Sequence, residues 1–454
     1  MSYNFRDYDQ NQLFLMPPSV QEWVKEDSLA RFLSEVVDGM DARGRLNAFY
    51  APYRVDGWGA PAFHPVMMLK VLLYAYTNGV TSSRRIEAML EVDIGFRYLA
   101  ANNQPDFRTI NGFRTAHLDA LLGVFVNVLE LCRDAGLARL GRVALDGHRV
   151  AGDASLSENR KRERLESQVQ ELLDEAALID ARENERHGPE ARGDELPSGL
   201  KNPRKRAEHL QRALDELQKR EDELRREQQE RIALRQKEEQ AAGRKKPGRK
   251  PKPAAEVTLP ADARVNRTDS QSRVMKGRNG QYLQGYNGQA MVDCGSQVIV
   301  AQQLTNEAAD VTLLAPMLDR CVEQAGARPE QVLVDAGYWS EANGALDGQG
   351  GTDLLIATVR WARENPDQHP QRDLMDAKLE KDEGKAAYAQ RGSSVEPVFG
   401  QMVTRGLNRF RLRGKKKAGL EWSLWCTTHN LLKLWRHFAR TDGRSAPCTA
   451  AVAA

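Results

Sequence analysis

The sequence predicts an α/β fold, in which a mixed sheet with flanking helices follows an all-α segment and is interrupted by a charged helical insertion. Three observations predict it. Apolar residues recur at helical spacing from the N-terminus to about residue 140. Beyond that point come short apolar runs of strand length, some of which end in an acidic residue. Between residues 156 and 255 the chain is instead densely charged, with apolar residues at steps of three and four.

Composition limits the class of protein. A chain of 454 residues with 41% hydrophobic residues is long and apolar enough for two or three domains with packed cores. No apolar run approaches the roughly 20 residues that cross a bilayer, and the N-terminus MSYNFRDYDQ lacks a signal-peptide pattern. We therefore expect a cytoplasmic protein without a membrane partner. The five cysteines are scattered, so neither a zinc site nor a disulfide framework is expected. A net charge of +3 is small for a chain of this length and says little about its partners.

The first 140 residues predict a set of short helices. An apolar helix in HPVMMLKVLLYAYTNG ends at Gly79, a serine cap opens a helix in SSRRIEAMLEVD, and a further helix is predicted in PDFRTINGFRTAHLDALLGVFVNVLELC. Arginines near the helix starts are compatible with a helix-turn-helix-like DNA-binding segment. A plain helical bundle whose arginines face water is the alternative. The arginines are Arg84, Arg85, Arg108 and Arg114.

Residues 156–255 form the charged insertion. Apolar residues such as Leu165 and Val169, and then Leu210 and Leu214, predict two amphipathic helices. The glycines and prolines between them would let the pair fold back as a hairpin or splay toward partners. Both an oligomerisation arm and a solvated pair of helices fit this pattern.

A basic linker, GRKKPGRKPKP, closes the insertion at residues 243–253. Its composition cannot bury a core. The element around Arg249 is similar to an AT-hook, in which an extended basic strand lies in the minor groove of DNA. A tether that binds phosphates without sequence preference is the alternative.

Two predicted strands end in an aspartate. Asp146 follows Val143–Leu145, and Asp335 follows Val332–Val334. A charged residue at the end of a buried strand emerges at the sheet edge, where ligands can approach. Carboxylates gathered there, with Glu396 from downstream, repel one another unless cations lie between them. Because hard oxygen ligands suit Mg²⁺ or Mn²⁺, and two such ions can clamp a phosphodiester, the pattern predicts a metal-dependent nuclease site.

The order of elements predicts how these acids meet. It runs from the strand with Asp146 through the insertion, two strands and a helix to the strand with Asp335, then helix, strand and the helix with Glu396. This is the order of a ribonuclease H-like domain, whose first and fourth strands are neighbours. We therefore expect a helical domain at 1–140, a ribonuclease H-like domain at 141–155 and 256–440, the insertion at 156–255, and a flexible tail at 441–454.

Two further aspartates are alternatives to Asp146, and a histidine lies close to it in the sequence. Asp153 and Asp293 could replace Asp146, although a hairpin turn at Gly295 accounts for Asp293 without chemistry. His148 shares a strand face with Asp146, and we assign it a structural role.

The segment RGLNRFRLRGKKK, just after Glu396, interleaves basic residues with Phe410. This composition suits a nucleic-acid backbone, and a solvated basic loop is the alternative. The following LEWSLWCTTHNLLKLWRHF carries apolar residues at helical spacing, which indicates core packing. The predicted DNA-binding residues here are Arg405, Arg409, Arg411, Arg413, Lys415 and Lys416.

The chain resembles the DDE transposases of bacterial insertion sequences, in the branch with a Tyr-Arg-Glu-Lys signature. Tyr388, Arg391 and Glu396 match the signature, but Val403 stands at the lysine position, where Arg405 is a possible substitute. The resemblance covers nearly the whole chain. Its motifs are FHPVMMLKVLLYAY, SSRRIE, PDFRTINGFR, DGHRVAGDAS, GYNGQAMVD, DAGYWS and VEPVFG.

The resemblance implies a function. Asp146, Asp335 and Glu396 would hold two Mg²⁺ ions, for which Mn²⁺ can substitute, while Tyr388 and Arg391 would contact DNA. The expected enzyme cleaves the ends of its own element and joins them to target DNA, as a homodimer on two ends, and associates with the nucleoid.

Two alternatives stay open. A decayed or domesticated copy would bind DNA only, as a repressor or architectural protein. A ribonuclease H-like nuclease would cleave without strand joining.

Overall fold

The computed structural model describes residues 19–53, 61–172, 174, 201–245, 250–277, 280–358 and 370–441. Arg249, part of the basic linker and the tail beyond residue 441 lie outside these ranges, so the predictions made for them are not tested by it.

The N-terminal part is helical, as predicted. Aspartates cap two of the helices, since Asp93 accepts a hydrogen bond from the amide of Phe96 and Asp106 from that of Thr109. The helices are α1 (Val20–Trp23), α2 (Leu29–Ala42), α3 (Pro65–Thr77), α4 (Ser83–Val92), α5 (Ile94–Leu99), α6 (Phe107–Ala116) and α7 (Leu118–Asp134).

Where one continuous helix was expected in PDFRTINGFRTAHLDALLGVFVNVLELC, there are two. α6 and α7 meet at a 76° bend at His117. The imidazole is buried and stacks on Phe49 at 5.5 Å, on Tyr53 at 5.5 Å and near Phe113 at 4.5 Å. Tertiary packing therefore outweighs the local helical preference here. Among the described residues, no single helix is both long and apolar enough to cross a membrane, and α6 and α7 meet that test only jointly.

A six-stranded mixed sheet follows. Its order is β4–β5–β1–β7–β8, and β6 pairs with the same edge of β5 as β4, farther along that strand. β1 runs parallel to β7 and antiparallel to β5, and β7 runs parallel to β8. The strands are β1 (Arg142–Ala151), β4 (Arg273–Lys276), β5 (Tyr282–Asp293), β6 (Ile299–Thr305), β7 (Gln331–Val334) and β8 (Asp353–Ile356).

Helices cover the sheet, and the last one links it to the N-terminal part. α14 contacts β6 as well as α2, α3 and α7, with Trp422 and Trp425 fully buried. One hydrophobic core therefore runs from the N-terminal helices to the sheet, and the boundary predicted near residue 140 marks a change of secondary structure but no gap in packing. The helices are α10 (Leu314–Ala325), α11 (Glu341–Gly344), α12 (Pro370–Glu380), α13 (Asp382–Thr404) and α14 (Lys415–Thr441).

The insertion folds back on itself. α8 (residues 162–172) and α9 (Lys201–Ala242) share a small hydrophobic cluster that includes Leu165 and Leu217, so within the described part the pair forms a hairpin and is not splayed. Its base is an antiparallel ladder of β2 (Asn159–Lys161) with β3 (Arg264–Asn266).

Glu221 interrupts the apolar spacing of α9 at a nearly buried position. Its carboxylate accepts hydrogen bonds from Arg162 of α8 at 2.9 Å and from Arg225, one turn along α9, at 2.5 Å. A carboxylate with two guanidinium partners can lie inside a helix pair because its charge and its oxygens are both satisfied.

We expect Gly288→Ala to destabilise the protein by about 1–3 kcal/mol, because overpacked cores shift backbone and side chains. Gly288 lies in β5, where a Cβ atom would approach the Trp422 ring to 2.8 Å. Gly123→Ala is the control, since a Cβ atom on Gly123 in α7 would meet nothing within 4 Å and exposed helical Gly→Ala gains about 0.5–1 kcal/mol. Urea unfolding measures both, and equal stability of the two variants would contradict this packing.

Candidate active site

The paired strands β1 and β7 bring two aspartates to one place. Leu145 is the register partner of Val334, so Asp146 and Asp335 lie next to each other where the parallel ladder of β1 with β7 ends. β1 was expected to end at Asp146, but it continues to Ala151 in its pairing with β5, so this aspartate lies within the strand. The Asp335 carboxylate caps a 3-10 turn, accepting a hydrogen bond from the amide of Gly337 at 2.9 Å. The neighbour relationship expected for the two aspartates is thus present.

A single guanidinium bridges them. Arg391, from α13, lies 3.0 Å from Asp146 Oδ2 and 3.4 Å from Asp335 Oδ2 through the same Nη2 atom. Two carboxylates this close to one point repel each other, and the positive charge between them offsets that repulsion. Arg391, for which the resemblance implies a DNA contact, is paired with the two acids in this arrangement.

Asp146 sits in an environment that disfavours its charge. Burial raises its pKa to about 6, and the neighbouring Asp335 and Asp310 act in the same direction. Arg391 and the amide of Gly147 lower the pKa but do not cancel the effect of burial. The carboxylate therefore titrates near neutrality unless a further cation comes close.

Glu396 lies on α13, the helix that also carries Arg391, and is exposed. Its side chain leans back along the helix, where its Oε1 would be 3.9 Å from a Cβ atom on Gly392. In the part of the chain that the structure describes, no three His, Cys, Asp or Glu side chains are grouped so as to hold a metal ion. The gathering of Glu396 with the two aspartates therefore stays a prediction.

The aspartate pair itself fits a hard divalent cation. Its two carboxylates already converge on one positive charge, and oxygen donors of this kind are the ligands that Mg²⁺ prefers.

Two residues beside the pair have structural contacts. The hydroxyl of Tyr388 donates to the carbonyl of Val334 at 3.2 Å, directly before Asp335, and burial raises its pKa. His148 stacks on Phe399 of α13 with ring centroids 5.2 Å apart, in keeping with the structural role expected for it. Both contacts hold α13 against the sheet.

The hairpin turn also accounts for Asp293, as predicted. Its Oδ1 accepts hydrogen bonds from the amides of Gly295 and Ser296 and from the Ser296 hydroxyl. A carboxylate with three donors inside its own turn is explained without a role at the site.

Beneath the aspartates lies a polar network that the sequence interpretation missed. Asp310, between β6 and α10, accepts hydrogen bonds from Arg149, Asn287 and Gln289. Asn287 and Gln289 are fully buried, and their alternation in β5 was the available signal, because two polar residues on one face of an otherwise apolar strand need partners.

The basic residues predicted on the N-terminal helices divide into two groups. Arg84 and Arg85 are exposed at the start of α4, where the Arg84 guanidinium lies 4.4 Å from the centroid of the Phe107 ring. Arg114 is only 2% exposed and its predicted DNA contact is therefore wrong for this conformation. Its guanidinium donates to the carbonyl of Thr81 at 2.8 Å and its charge lies near the buried Glu421.

Arg405 is likewise not available at the surface. Its guanidinium lies over the Trp425 ring, 5.3 Å from the centroid, and burial lowers its pKa to about 10. Both terminal nitrogens are buried with no hydrogen-bond partner among the described residues. A side chain packed this way does not replace the signature lysine absent at Val403.

The rest of the basic segment lines the surface between α13 and α14. Arg409, Arg411 and Lys416 are exposed. Arg413 pairs with Asp153 at 2.8 Å, and Lys416 pairs with Asp119 at 3.0 Å. Lys415 is half-buried and its amide donates to Gln271.

The pKa of Asp146 makes stability depend on pH. A carboxyl whose folded pKa lies above its unfolded value stabilises the fold most below the unfolded pKa of 3.8, and this contribution is lost as pH rises through about 6. In EDTA we therefore expect Asp146→Asn to exceed wild type in stability at pH 8 by up to about 3 kcal/mol, with the gain shrinking toward pH 4.

Urea unfolding at pH 4, 6 and 8 tests this expectation. The matched control is Asp319→Asn, whose side chain is 71% exposed in its ion pair with Arg328 and should change stability little at each pH. A gain for Asp146→Asn that does not vary with pH would mean that burial does not raise this pKa.

Two family models match the chain, one on either side of the insertion. Residues 18–116 match the model described as Transposase domain (DUF772), and residues 358–435 match the model described as Transposase DDE domain. Searches of curated proteins and of solved structures gave no significant match. The first match covers most of the N-terminal helices. The second includes α13, the helix that carries both Arg391 and Glu396. Together they support a DDE transposase.

Proposed function

We propose that this protein is a DNA transposase that cleaves the ends of its own insertion sequence and joins the freed 3′-hydroxyls to target DNA. The observation that carries the proposal is the pairing of β1 with β7, which gathers Asp146 and Asp335 around one cation at the sheet edge. The match of the following helices to a Transposase DDE domain supports the same chemistry.

In this proposal the two aspartates hold Mg²⁺ or Mn²⁺, and Glu396 completes the ligand set. When bound, two such ions supply Lewis-acid stabilisation of the leaving 3′-oxygen and lower the pKa of the attacking water. Both aspartates must be ionised to bind a cation. Because the pKa of Asp146 is raised to about 6, we expect cation binding to be stronger above pH 6 than below it. Glu396 lies on the same helix as Arg391, and a shift of α13 toward the sheet would carry the two residues together.

Arg391 has a second task in the proposal. Its guanidinium neutralises the aspartates in their present arrangement, and divalent cations held by the two carboxylates would take over that task. A planar guanidinium then suits the DNA phosphate beside the cleaved bond. Tyr388 fixes the backbone before Asp335 and could contact DNA only after its hydroxyl leaves Val334.

The order of strands also supports a ribonuclease H-like domain. Without β2, β3 and β4, the strands in chain order are β1, β5, β6, β7 and β8. Their order in the sheet, β6–β5–β1–β7–β8, places the first of these strands between the second and the fourth, as that fold requires. The DNA ends are then held by the exposed arginines of α4 and by the basic segment between α13 and α14, and a homodimer on two element ends remains part of the proposal. Val403, at the position of the signature lysine, is 37% exposed on α13. This exposure does not decide whether the chain belongs to the branch with the Tyr-Arg-Glu-Lys signature.

Strand cleavage provides the direct test. With Mg²⁺ and labelled DNA that carries the terminal sequence flanking the gene, wild type should produce a 3′-hydroxyl at the element end. Glu396→Gln should lower the rate at least ~100-fold, because each metal ligand supports several kcal/mol of transition-state stabilisation. Glu383→Gln, which changes an exposed glutamate in the first turn of the same helix, is the control and should cleave like wild type.

Each outcome points to one of the candidate functions. Equal cleavage by Glu396→Gln and wild type would remove Glu396 from the site. Cleavage without strand joining, when target DNA is added, would favour a nuclease. Specific binding of the element ends with no cleavage by wild type would favour a DNA-binding repressor or architectural protein.

DNA binding by the N-terminal helices gives a separate prediction. If Arg85 contacts a phosphate, Arg85→Gln should weaken binding of all duplexes alike and reduce the slope of log affinity against log salt by about one. Arg320→Gln on α10, which is also exposed but lies away from α4, is the control. Fluorescence anisotropy over a salt series measures both, and an unchanged slope for Arg85→Gln would exclude that contact.

A further inference from the structure

Asp310 is an acidic residue at the candidate site whose own oxygens are already occupied. Its carboxylate is 13% exposed. Oδ1 accepts hydrogen bonds from Asn287 Nδ2 at 2.7 Å and from Gln289 Nε2 at 3.0 Å, and Oδ2 accepts one from Arg149 at 3.0 Å. An acceptor with this many donors is a poor candidate for a metal ligand, because a cation would have to displace them.

A chain of hydrogen bonds connects Asp310 to the turn that carries Asp335. Gln289 donates its amide to Asp310 and accepts, through Oε1, a short hydrogen bond from the Tyr338 hydroxyl. Tyr338 is fully buried and is the last residue of the 3-10 turn that Asp335 caps. The turn is therefore anchored at its start by the Asp335 carboxylate and at its end by the Tyr338 ring.

The carboxylate of Asp310 also fixes the direction of this chain. A carboxylate can only accept, so the NH₂ group of Gln289 must face Asp310 and its carbonyl oxygen must face Tyr338. An asparagine at position 310 could donate instead, which would let the Gln289 amide turn over and leave the Tyr338 hydroxyl without its acceptor. The carboxylate of Asp310 thus sets the orientation of the Gln289 amide, and this orientation gives the Tyr338 hydroxyl its acceptor.

The same network touches the backbone beside both aspartates. A Cβ atom on Gly147 would lie 2.4 Å from Gln289 Nε2 and 3.0 Å from Asp310 Oδ1. A Cβ atom on Gly337 would lie 3.1 Å from Asp335 Oδ1 and 3.8 Å from Asp310 Oδ2. The residue after Asp146 has no room for a side chain against Gln289, and the second residue after Asp335 lies within van der Waals contact distance of Asp310.

We propose that Asp310 is a positioning residue, which through Gln289 and Tyr338 holds Asp335 in the orientation that binds a divalent cation. This proposal rests on the proposed function, because it assigns Asp335 to metal binding. Asp310 does not touch substrate. Its effect reaches the site through a buried hydrogen-bond chain, as do the outer residues that orient metal ligands in other proteins.

Manganese binding to the DNA-free protein tests the proposal without any catalytic step. Tyr338→Phe removes one hydroxyl and leaves every carboxylate in place, and Asp310→Asn removes the charge that orients Gln289. Each should weaken Mn²⁺ binding, measured by electron paramagnetic resonance, by roughly 10- to 100-fold. Amide hydrogen exchange of residues 335–338 should become faster in both variants, because the turn loses its anchor.

The control is Tyr76→Phe. Tyr76 is also fully buried and donates to a carboxylate, that of Glu421 at 3.3 Å, but it lies in α3 and not in the site. It should bind Mn²⁺ as wild type does, with unchanged exchange of residues 335–338. Binding by Tyr338→Phe and Asp310→Asn within threefold of wild type would overturn the proposal, as would an equal loss in Tyr76→Phe.

The two proposals fail in different ways. If wild type binds Mn²⁺ and the variants weaken it, but no DNA end is cleaved, the positioning role stands and the transposase function does not. If wild type cleaves and Tyr338→Phe cleaves and binds Mn²⁺ equally well, only the positioning role is lost. Wild type that binds no Mn²⁺ would remove the positioning role, whereas strand cleavage alone decides the transposase function.

Discussion

The site depends on one constraint, which is the repulsion between two carboxylates held close together on neighbouring inner strands of the sheet. Parallel pairing of β1 with β7 puts Asp146 and Asp335 on adjacent strands, and a fold that does this must supply positive charge between them. Arg391 supplies it from α13, at 3.0 and 3.4 Å. The placement of α13 follows from this need, because the helix must cross the strand ends where its arginine can reach both carboxylates. Its other contacts, Tyr388 to Val334 and Phe399 to His148, hold it in that place.

The second organising element is α14. It packs on β6 and on α2, α3 and α7 at once, so a single helix joins the N-terminal helices to the sheet. Glu421 on α14 joins the two parts through polar contacts, since it accepts hydrogen bonds from Tyr76 of α3 and from the amide of Arg411. Burial raises the pKa of Glu421, and the nearby charge of Arg114 opposes that shift. In the proposed function, this helix would connect the part that holds DNA to the part that cuts it.

Sequence patterns predicted the elements that repeat a period and missed those that depend on distant partners. The strands around Asp146 and Asp335 follow from short apolar runs, and the helical spacing of the insertion is found in α8 and α9. β4 was missed because four residues carry too little alternation to stand out from the loop before them. α12, which starts at Pro370, was not among the predicted helices, and its packing on β8 is a tertiary effect.

The site was predictable in part for the same reason. Asp146 and Asp335 are marked by the short apolar runs they follow, whereas Asp310 is marked only by its contacts with Asn287 and Gln289 on another strand. Arg114 shows the opposite error. Its position near a helix start suggested a surface role, yet its environment is set by Tyr76 and by Glu421, which lies 345 positions from Tyr76 in the chain. No local pattern contains that information.

The ladder of β2 and β3 at the base of the insertion has a consequence for the history of this chain. Asn159 faces Asn266, so the two ends of the arm meet and leave the sheet as neighbours. The hundred or so residues between them can lengthen, shorten or be exchanged without moving β1 relative to β5. An arm attached in this way behaves like a graft, which one recombination event could add or remove while the aspartate pair stays where it is.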